Sequence, residues 1–402
     1  MQELLTSTKL LFFSYYLAFG AYSPYIVRYM SKIGLSGKQI GFLQGFTSLL
    51  GFVLPPLWGL FIDVKQNKRQ SLVLALSGMA IGLMCYFFSS SFWPLLLATL
   101  VYAAFNAPVI PLLDSIALEA ADKTNSYYGN MRMFGSLGYA VSASFMPYIY
   151  NHFDNPGSIF PVSLIFTILT MFLICRLSPN SFSSVTSNRS KAFKNLSGDF
   201  VKLIKNPAFL GLMLVAFINR LALVPYYSFI SLYLEGLNAT SFIVGYAWAV
   251  AILGEMVVLF NSEKMLKRLG EKRLLVIALF LSSIRWIIYA KVQLPWVIFS
   301  LQWLHGFSFA AIHTVTVKLI LKIAPQTMQV SAQSLYSAFN FGLGGFFGSL
   351  IMGFLFDYFG GAKTITTTMG SLLLVCASAS FLALTVCMIF VQVKAPKKQS
   401  LS

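Results

Sequence analysis

Apolar runs of about twenty residues recur from one end of the chain to the other, separated by short polar turns. That length is what an α-helix, rising about 1.5 Å per residue, needs to cross a hydrocarbon core about 30 Å thick. Barrel strands would instead read as alternating segments of about ten residues. Over the 402 residues the runs fall near 8–31, 37–62, 71–90, 93–119, 127–150, 158–177, 208–235, 240–261, 273–290, 294–321, 329–358 and 364–391. The balance of residue types agrees. Only 10% of the chain is charged and 57% is hydrophobic, against roughly 25% charged in a soluble domain. So few charges cannot clothe a soluble globule, and disorder would need low hydrophobicity together with high net charge. The first run lacks a small-residue cleavage site and is expected to span rather than to be removed. The chain therefore reads as an all-α integral membrane protein with twelve transmembrane helices.

The net charge of +17 is read here as topology rather than as a nucleic-acid surface, because the basic residues sit between the apolar runs. With the N terminus inside, 21 of the 29 Lys and Arg fall on the cytoplasmic side, five outside and three (Arg132, Arg220, Arg285) within helices. That bias puts both termini in the cytoplasm and the protein in the plasma (cytoplasmic or inner) membrane as a multi-pass protein. The four cysteines lie inside apolar runs without metal-ligand spacing, so neither disulfides nor zinc are expected, and no cofactor is implied.

The longest polar stretch, 178–206, divides the chain into an N-terminal six-helix bundle (1–177) and a C-terminal six-helix bundle with a short basic tail (207–402). The turn after the second run, with Gly59 and Asp63 followed by Lys65, Lys68 and Arg69, has a weaker echo at Glu263 to Arg273 in the second half. Parallel repeats of this kind place a solute site between the halves, near the midplane.

A charge at the bilayer centre costs at least about 2.5–3.5 kcal/mol, so each buried ionisable residue needs a reason. Glu255 lies mid-helix in the eighth run, where loss of water favours a protonated carboxyl, as a proton carrier requires; a structural ion pair is the alternative. Arg285 and His305 reach similar depth in the ninth and tenth runs. His305 could equally be a packing histidine, and His313, two turns on, either structural or functional. Asp114 and Arg132 flank one cytoplasmic loop and could pair across helices. Glu119, nearer that loop, is expected to be a solvated interfacial residue, and Asp63 to cap or pair at a gate. Arg220 sits deep in the seventh run and must face a cavity or a counter-ion, with Glu255 and a substrate carboxylate both available. Arg132, Arg220, Glu255 and Arg285 are all expected to face the central cavity.

Several stretches together resemble the major facilitator superfamily over essentially the whole chain. Pro55 to Asp63 is similar to its loop motif, with Gly59 and Asp63 in place, although Val64 stands where an arginine is expected. Tyr128 to Gly138, Gly254-Glu255, Gly270 to Leu275 with Arg285-Trp286, Leu304-His305-Gly306 and Ala332 to Gly345 look closest to the phenylpropionate permease group, with lactose permease more distant. The resemblance implies a proton-coupling network of Glu255, Arg285 and His305, with Ser308 in place of that network's second carboxylate. It implies substrate contacts from Asp114 and Arg132, and a gate-and-loop motif of Gly59, Asp63, Lys68 and Arg69. Tyr139 stands where lactose permease stacks a tryptophan on sugar, and Val258 where it uses an asparagine. Both changes lean away from sugar, and Arg220 replaces acids found there. The drug-antiporter glycine–proline signature is absent from the fifth helix, which disfavours efflux.

The expected function is proton-coupled symport of a small organic solute, an aromatic or other carboxylate, by alternating access, with a monomer as the working unit. A sugar or nucleoside symporter is the alternative. A membrane enzyme or receptor is disfavoured by three scattered histidines and short loops. Partners are then the solute, protons and the lipid bilayer, and not nucleic acid.

Overall fold

The computed structural model describes residues 2–65, 67–176, 203–325 and 328–391. Among these residues the chain is helical, without strands. The long helices are α1 (Gln2–Tyr22, continued after a turn as Ile26–Lys32), α2 (Gly37–Lys65), α3 (Lys68–Phe87) and α4 (Phe92–Asn106, continued as Val109–Thr124). They continue with α5 (Tyr128–His152), α6 (Ile159–Arg176), α7 (Pro207–Gly236), α8 (Ser241–Leu269) and α9 (Glu271–Val292). The last are α10 (Pro295–Ile323), α11 (Gln329–Ser337, Ala338–Leu343 and Gly344–Tyr358) and α12 (Ile365–Phe390). Eleven helices among the described residues are long and apolar enough to cross a membrane. The exception is α5, whose 25 residues include Asn130, Arg132, Ser136, Ser142 and Ser144. The expected linker 178–206 lies mostly outside the described residues.

Local chemistry sets the helix ends. The Asn206 side chain accepts from the N–H groups of Ala208 and Phe209 while Pro207 occupies the first helical position; both satisfy or remove donors that a helix start leaves unpaired. Thr240 caps α8 through Ile243 N–H and Asn67 caps α3 through Gln70 N–H. Helix α8 runs 29 residues, about 43 Å, well past the end read from the sequence. Two helices are irregular. Helix α10 tightens to a 3-10 turn at Leu301–Leu304 and then widens to a π turn at Gly306–Ala311. Helix α11 has a second π turn at Ala338–Leu343. Wide turns of this kind cluster at functional sites in proteins.

Helix α1 packs on α5 and α6, α3 on α4 and α6, and α12 on both α7 and α9. The first six helices meet the last six chiefly where α2 crosses α11 and α5 crosses α8. The α2–α11 seam depends on small residues: a Cβ added at Gly41 would lie 2.3 Å from the Ser349 carbonyl oxygen and 3.0 Å from Gly353 Cα. Only glycine permits backbones to approach so closely.

The two ends of the assembly differ. At one end, polar groups stitch the two sets of six together. Glu235 of α7 meets Arg28 Nε at 2.5 Å and accepts from Tyr150 OH at 2.5 Å, while the Arg28 guanidinium stacks 3.5 Å over the Tyr150 ring. Asn151 Nδ2 donates to Ser241 Oγ at 2.7 Å, and Asp357 of α11 accepts from the backbone N–H groups of Gly37 and Lys38. At the other end, which holds Lys68, Glu271 and the close of α12, helix α2 is held to α4, where Trp58 Nε1 donates to the Ala104 carbonyl oxygen at 2.9 Å, but is otherwise open. From Phe46 to Ile62 no position is buried, and Val64 is 84% exposed. A helix facing only lipid would still bury one side, so α2 here borders an opening as well.

Candidate functional site

A cavity of about 400 Å³ lies between the two sets of six helices. It is lined by Tyr16, Phe19, Ser23 and Val27 of α1, Gln44 of α2, and Arg132, Ser136 and Tyr139 of α5. From the other side come Arg220, Tyr227 and Ser228 of α7, Trp248, Ala251, Ile252 and Glu255 of α8, and His305 of α10. Arg132, Tyr139, Arg220, Glu255 and His305 thus come together as the sequence suggests. Trp248, Tyr227 and Gln44 are additions that nothing in their apolar surroundings singled out.

Glu255 and His305 are brought together by two glycines. A Cβ on Gly306 would sit 2.3 Å from the Gly254 carbonyl oxygen, so α8 and α10 touch backbone to backbone at that level. The result is a contact of 2.9 Å between His305 Nε2 and Glu255 Oε1, with Tyr227 OH at 3.1 Å from the same nitrogen.

Arg285 does not face the cavity, contrary to expectation. It is fully buried behind His305. Its Nη1 lies 3.2 Å from His305 Nδ1 and 3.4 Å from Ser308 Oγ, its Nη2 donates to Gln302 Oε1 at 2.8 Å, and its Nε donates to Tyr289 OH at 3.2 Å. The rings of Tyr226, Trp286 and Tyr289 lie 4.5, 4.7 and 5.0 Å from the guanidinium. Depth along α9 was legible in the sequence, but the direction of the side chain was not. An arginine is donor-only, so the contact makes His305 Nδ1 an acceptor. That arrangement requires the ring's hydrogen on Nε2, the nitrogen that faces Glu255.

Arg220 has no carboxylate within 4.0 Å among the described residues, so the pair with Glu255 considered from the sequence does not form. Its Nε is buried without a hydrogen-bond partner, and its guanidinium packs 5.3 and 5.4 Å from the rings of Tyr227 and Phe341. Beside it a far smaller cavity reaches Asn219, His313, Tyr336 and Asn340. His313 Nδ1 is 2.7 Å from Tyr336 OH, and the His305, Phe309 and His313 rings stack in a column at 6.0 and 5.8 Å.

On the opposite wall Arg132 Nε is 4.0 Å from Asp114 Oδ1, and the guanidinium sits 4.6 Å from the Tyr16 ring. Asp114 also accepts from Tyr128 OH at 2.8 Å and does not itself line the cavity. Val258 is buried in the packing between helices. Glu119 is not solvated as expected: its side chain is largely buried and shared by Lys68 at 3.1 Å and Lys123 at 2.9 Å. Arg69 Nη2 donates to the Cys175 carbonyl oxygen at 2.5 Å. A Cβ on Gly59 would meet nothing within 4 Å, and the Asp63 side chain lies outside the described residues.

Comparison with known proteins adds to this geometry. The family model described as "MFS_1 like family" matches residues 5–367. The maltose permease of Geobacillus stearothermophilus is 26% identical over 353 residues, covering 88% of this chain and 88% of that one. The probable 3-phenylpropionic acid transporter of Escherichia coli is 26% identical over 357 residues, covering 87% and 90% respectively. In fold, the crystal structure of the nucleoside transporter NupG superposes with a TM-score of 0.83 at 16% identity, covering 97% of this chain and 100% of that one.

Proposed function

Because the chain belongs to the MFS_1-like family of the major facilitator superfamily, and is thus an integral multi-pass membrane transporter and not an enzyme, we propose that it carries a small organic monoanion inward together with a proton. The observation that carries this reading is Arg220, a guanidinium on the cavity wall with no carboxylate within 4.0 Å and no partner for its buried Nε among the described residues. In the cavity wall or directly behind it, three arginines (Arg132, Arg220 and Arg285) stand with two acids (Asp114 and Glu255) among the described residues, which leaves one surplus positive charge when both acids are ionised. A neutral solute leaves that charge uncompensated in a poorly solvated cavity, which is costly. A carboxylate offsets it, with bidentate contact to the guanidinium.

In this reading Glu255 takes the proton, since Asp114 already has Arg132 beside it. Protonating Glu255 raises the surplus charge and strengthens the hold on the anion. The conformation described is the one open to the cytoplasm, the stitched end facing outward, as the basic-residue bias implies. The two six-helix sets, 1–177 and 207–402, rock against each other about the cavity, and a single copy of the chain suffices.

A second reading, a neutral sugar or nucleoside, is favoured by the uncharged hydrogen-bonding groups of Ser23, Gln44, Ser136 and Ser228 on the cavity wall and by the similarity to the maltose permease. Equilibrium binding to purified protein decides between the two. The anion reading expects 3-phenylpropionate to bind and Arg220→Gln to weaken it at least about tenfold. Tight maltose or nucleoside binding that Arg220→Gln leaves unchanged, with no binding of 3-phenylpropionate, overturns it.

A further inference from the structure

Gln302 sits behind the cavity in the 3-10 turn of α10, 1% exposed. Its Oε1 accepts two hydrogen bonds, from Arg285 Nη2 at 2.8 Å and from Tyr226 OH at 2.9 Å, while its Nε2 has no partner. Gln302 and His305 are three residues apart on α10, neighbours on one helix face, and one guanidinium reaches both: Nη2 to the Gln302 carbonyl and Nη1 to His305 Nδ1.

We propose that Gln302 is a positioning residue for proton coupling: by anchoring Arg285 it fixes His305 in the tautomer that donates from Nε2 to Glu255. The inference rests on the reading of Glu255 as the proton carrier. No carboxylate lies within 4.0 Å of Arg285 among the described residues, and rings flank it, so the Gln302 carbonyl is a principal acceptor holding its plane. Without that carbonyl, Nη2 turns to another acceptor and Nη1 leaves Nδ1. His305 is then free to carry its hydrogen on Nδ1. Nε2 becomes an acceptor facing the Glu255 carboxylate, two lone-pair groups 2.9 Å apart, and the carboxyl loses the donor that holds it in place.

The chain has three histidines, so ¹⁵N-histidine labelling and solid-state NMR in lipid read the tautomers directly, with His305→Gln assigning the signal. The wild type is expected to show His305 protonated on Nε2 alone. In Gln302→Met, which keeps length but loses the acceptor, the ratio of Nε2–H to Nδ1–H should fall about tenfold or more. Gln302→Glu, which keeps both accepted hydrogen bonds, should restore the wild-type signal. Should the methionine variant fail to fold, Gln302→Asn, whose carbonyl falls one methylene short, takes its place with the same expectation. A wild-type His305 protonated on Nδ1, an unchanged signal in Gln302→Met or Gln302→Asn, or no rescue by Gln302→Glu overturns the proposal. Transport separates the two layers of the argument. If Glu255→Gln still accumulates solute against a pH gradient, the proton-carrier reading fails; if Glu255→Gln loses accumulation while Gln302→Met keeps it with an altered tautomer, only the positioning role fails.

Discussion

Asp357, at the end of α11, caps the start of α2 from across the molecule: its two carboxylate oxygens accept from Gly37 N–H at 2.6 Å and Lys38 N–H at 2.9 Å. A helix start offers unpaired N–H groups and partial positive charge, so the contact is a charge-assisted lock between the two sets of helices. Under the alternating-access reading it is made while this end is shut and lost when it opens. Asp357→Asn removes the charge and replaces one of the two accepting oxygens by an NH2 donor, costing about 1–2 kcal/mol. The expected outcome is a roughly tenfold shift toward the conformation open at this end. Interspin distances between labels on α2 and α11 check it, and an unchanged distance distribution counts against the lock.

Gly41 should be intolerant of any side chain in the shut state. With the Ser349 carbonyl oxygen 2.3 Å from a built Cβ, Gly41→Leu cannot close the α2–α11 seam without moving backbone. The variant is expected to fold, to remain trapped open at the stitched end, and to lose at least about 90% of solute uptake, since cycling needs both conformations. Interspin distances between labels on α2 and α11 measure the trapping directly.

Glu255→Gln should uncouple the carrier rather than silence it. An amide still accepts from His305 Nε2–H but cannot cycle a proton. Solute exchange at equal pH on both sides should continue within a fewfold of wild type, whereas accumulation driven by a pH gradient should vanish. Solute-induced alkalinisation persisting in the variant would place the proton elsewhere.

The charge tally also fixes the driving force. Empty, with Glu255 ionised, the site holds one surplus positive charge; loaded with one proton and one monoanion, it again holds one. Both forms that cross between conformations therefore carry the same charge, and net transport moves none. Under this reading, imposing a potassium diffusion potential of about 100 mV, worth about 2.3 kcal/mol per charge, should change initial uptake less than about twofold at fixed pH gradient. Strong acceleration by an inside-negative potential would show that net positive charge travels, as it does when a neutral solute enters with a proton.

The helices were legible because lipid imposes a length and a composition on every span, and α3, α6 and α12 follow that rule closely. Helix α5 was legible as a run near 127–150 despite the polar residues that dilute it, and two of these, Arg132 and Ser136, turn to the cavity. Charged residues announced themselves by their cost in an apolar run, which is why Arg220 and Glu255 stood out. Tyr227, Trp248 and Gln302 did not, because uncharged and aromatic residues are unremarked on any face of a membrane helix. Arg285 shows the remaining limit. Its depth followed from counting, but whether it points to the cavity or behind it depends on the neighbours, Gln302 and Tyr289, that only the folded chain supplies. The Asp357–Gly37 contact spans 320 residues and leaves no local trace at all.

The wide turns in α10 and α11 have a genetic consequence. Each takes up one residue more than a regular helix needs for the same rise. Removing a single residue from Gly306–Ala311 would let α10 relax to regular winding. Because the wide turn has already absorbed the extra residue, everything beyond the deletion would keep nearly its present direction. His313 would stay beside the Tyr336 hydroxyl. The same one-codon deletion in a regular stretch of α10 would instead turn everything beyond it by about 100°, so the wide turn is where the helix tolerates a change of length.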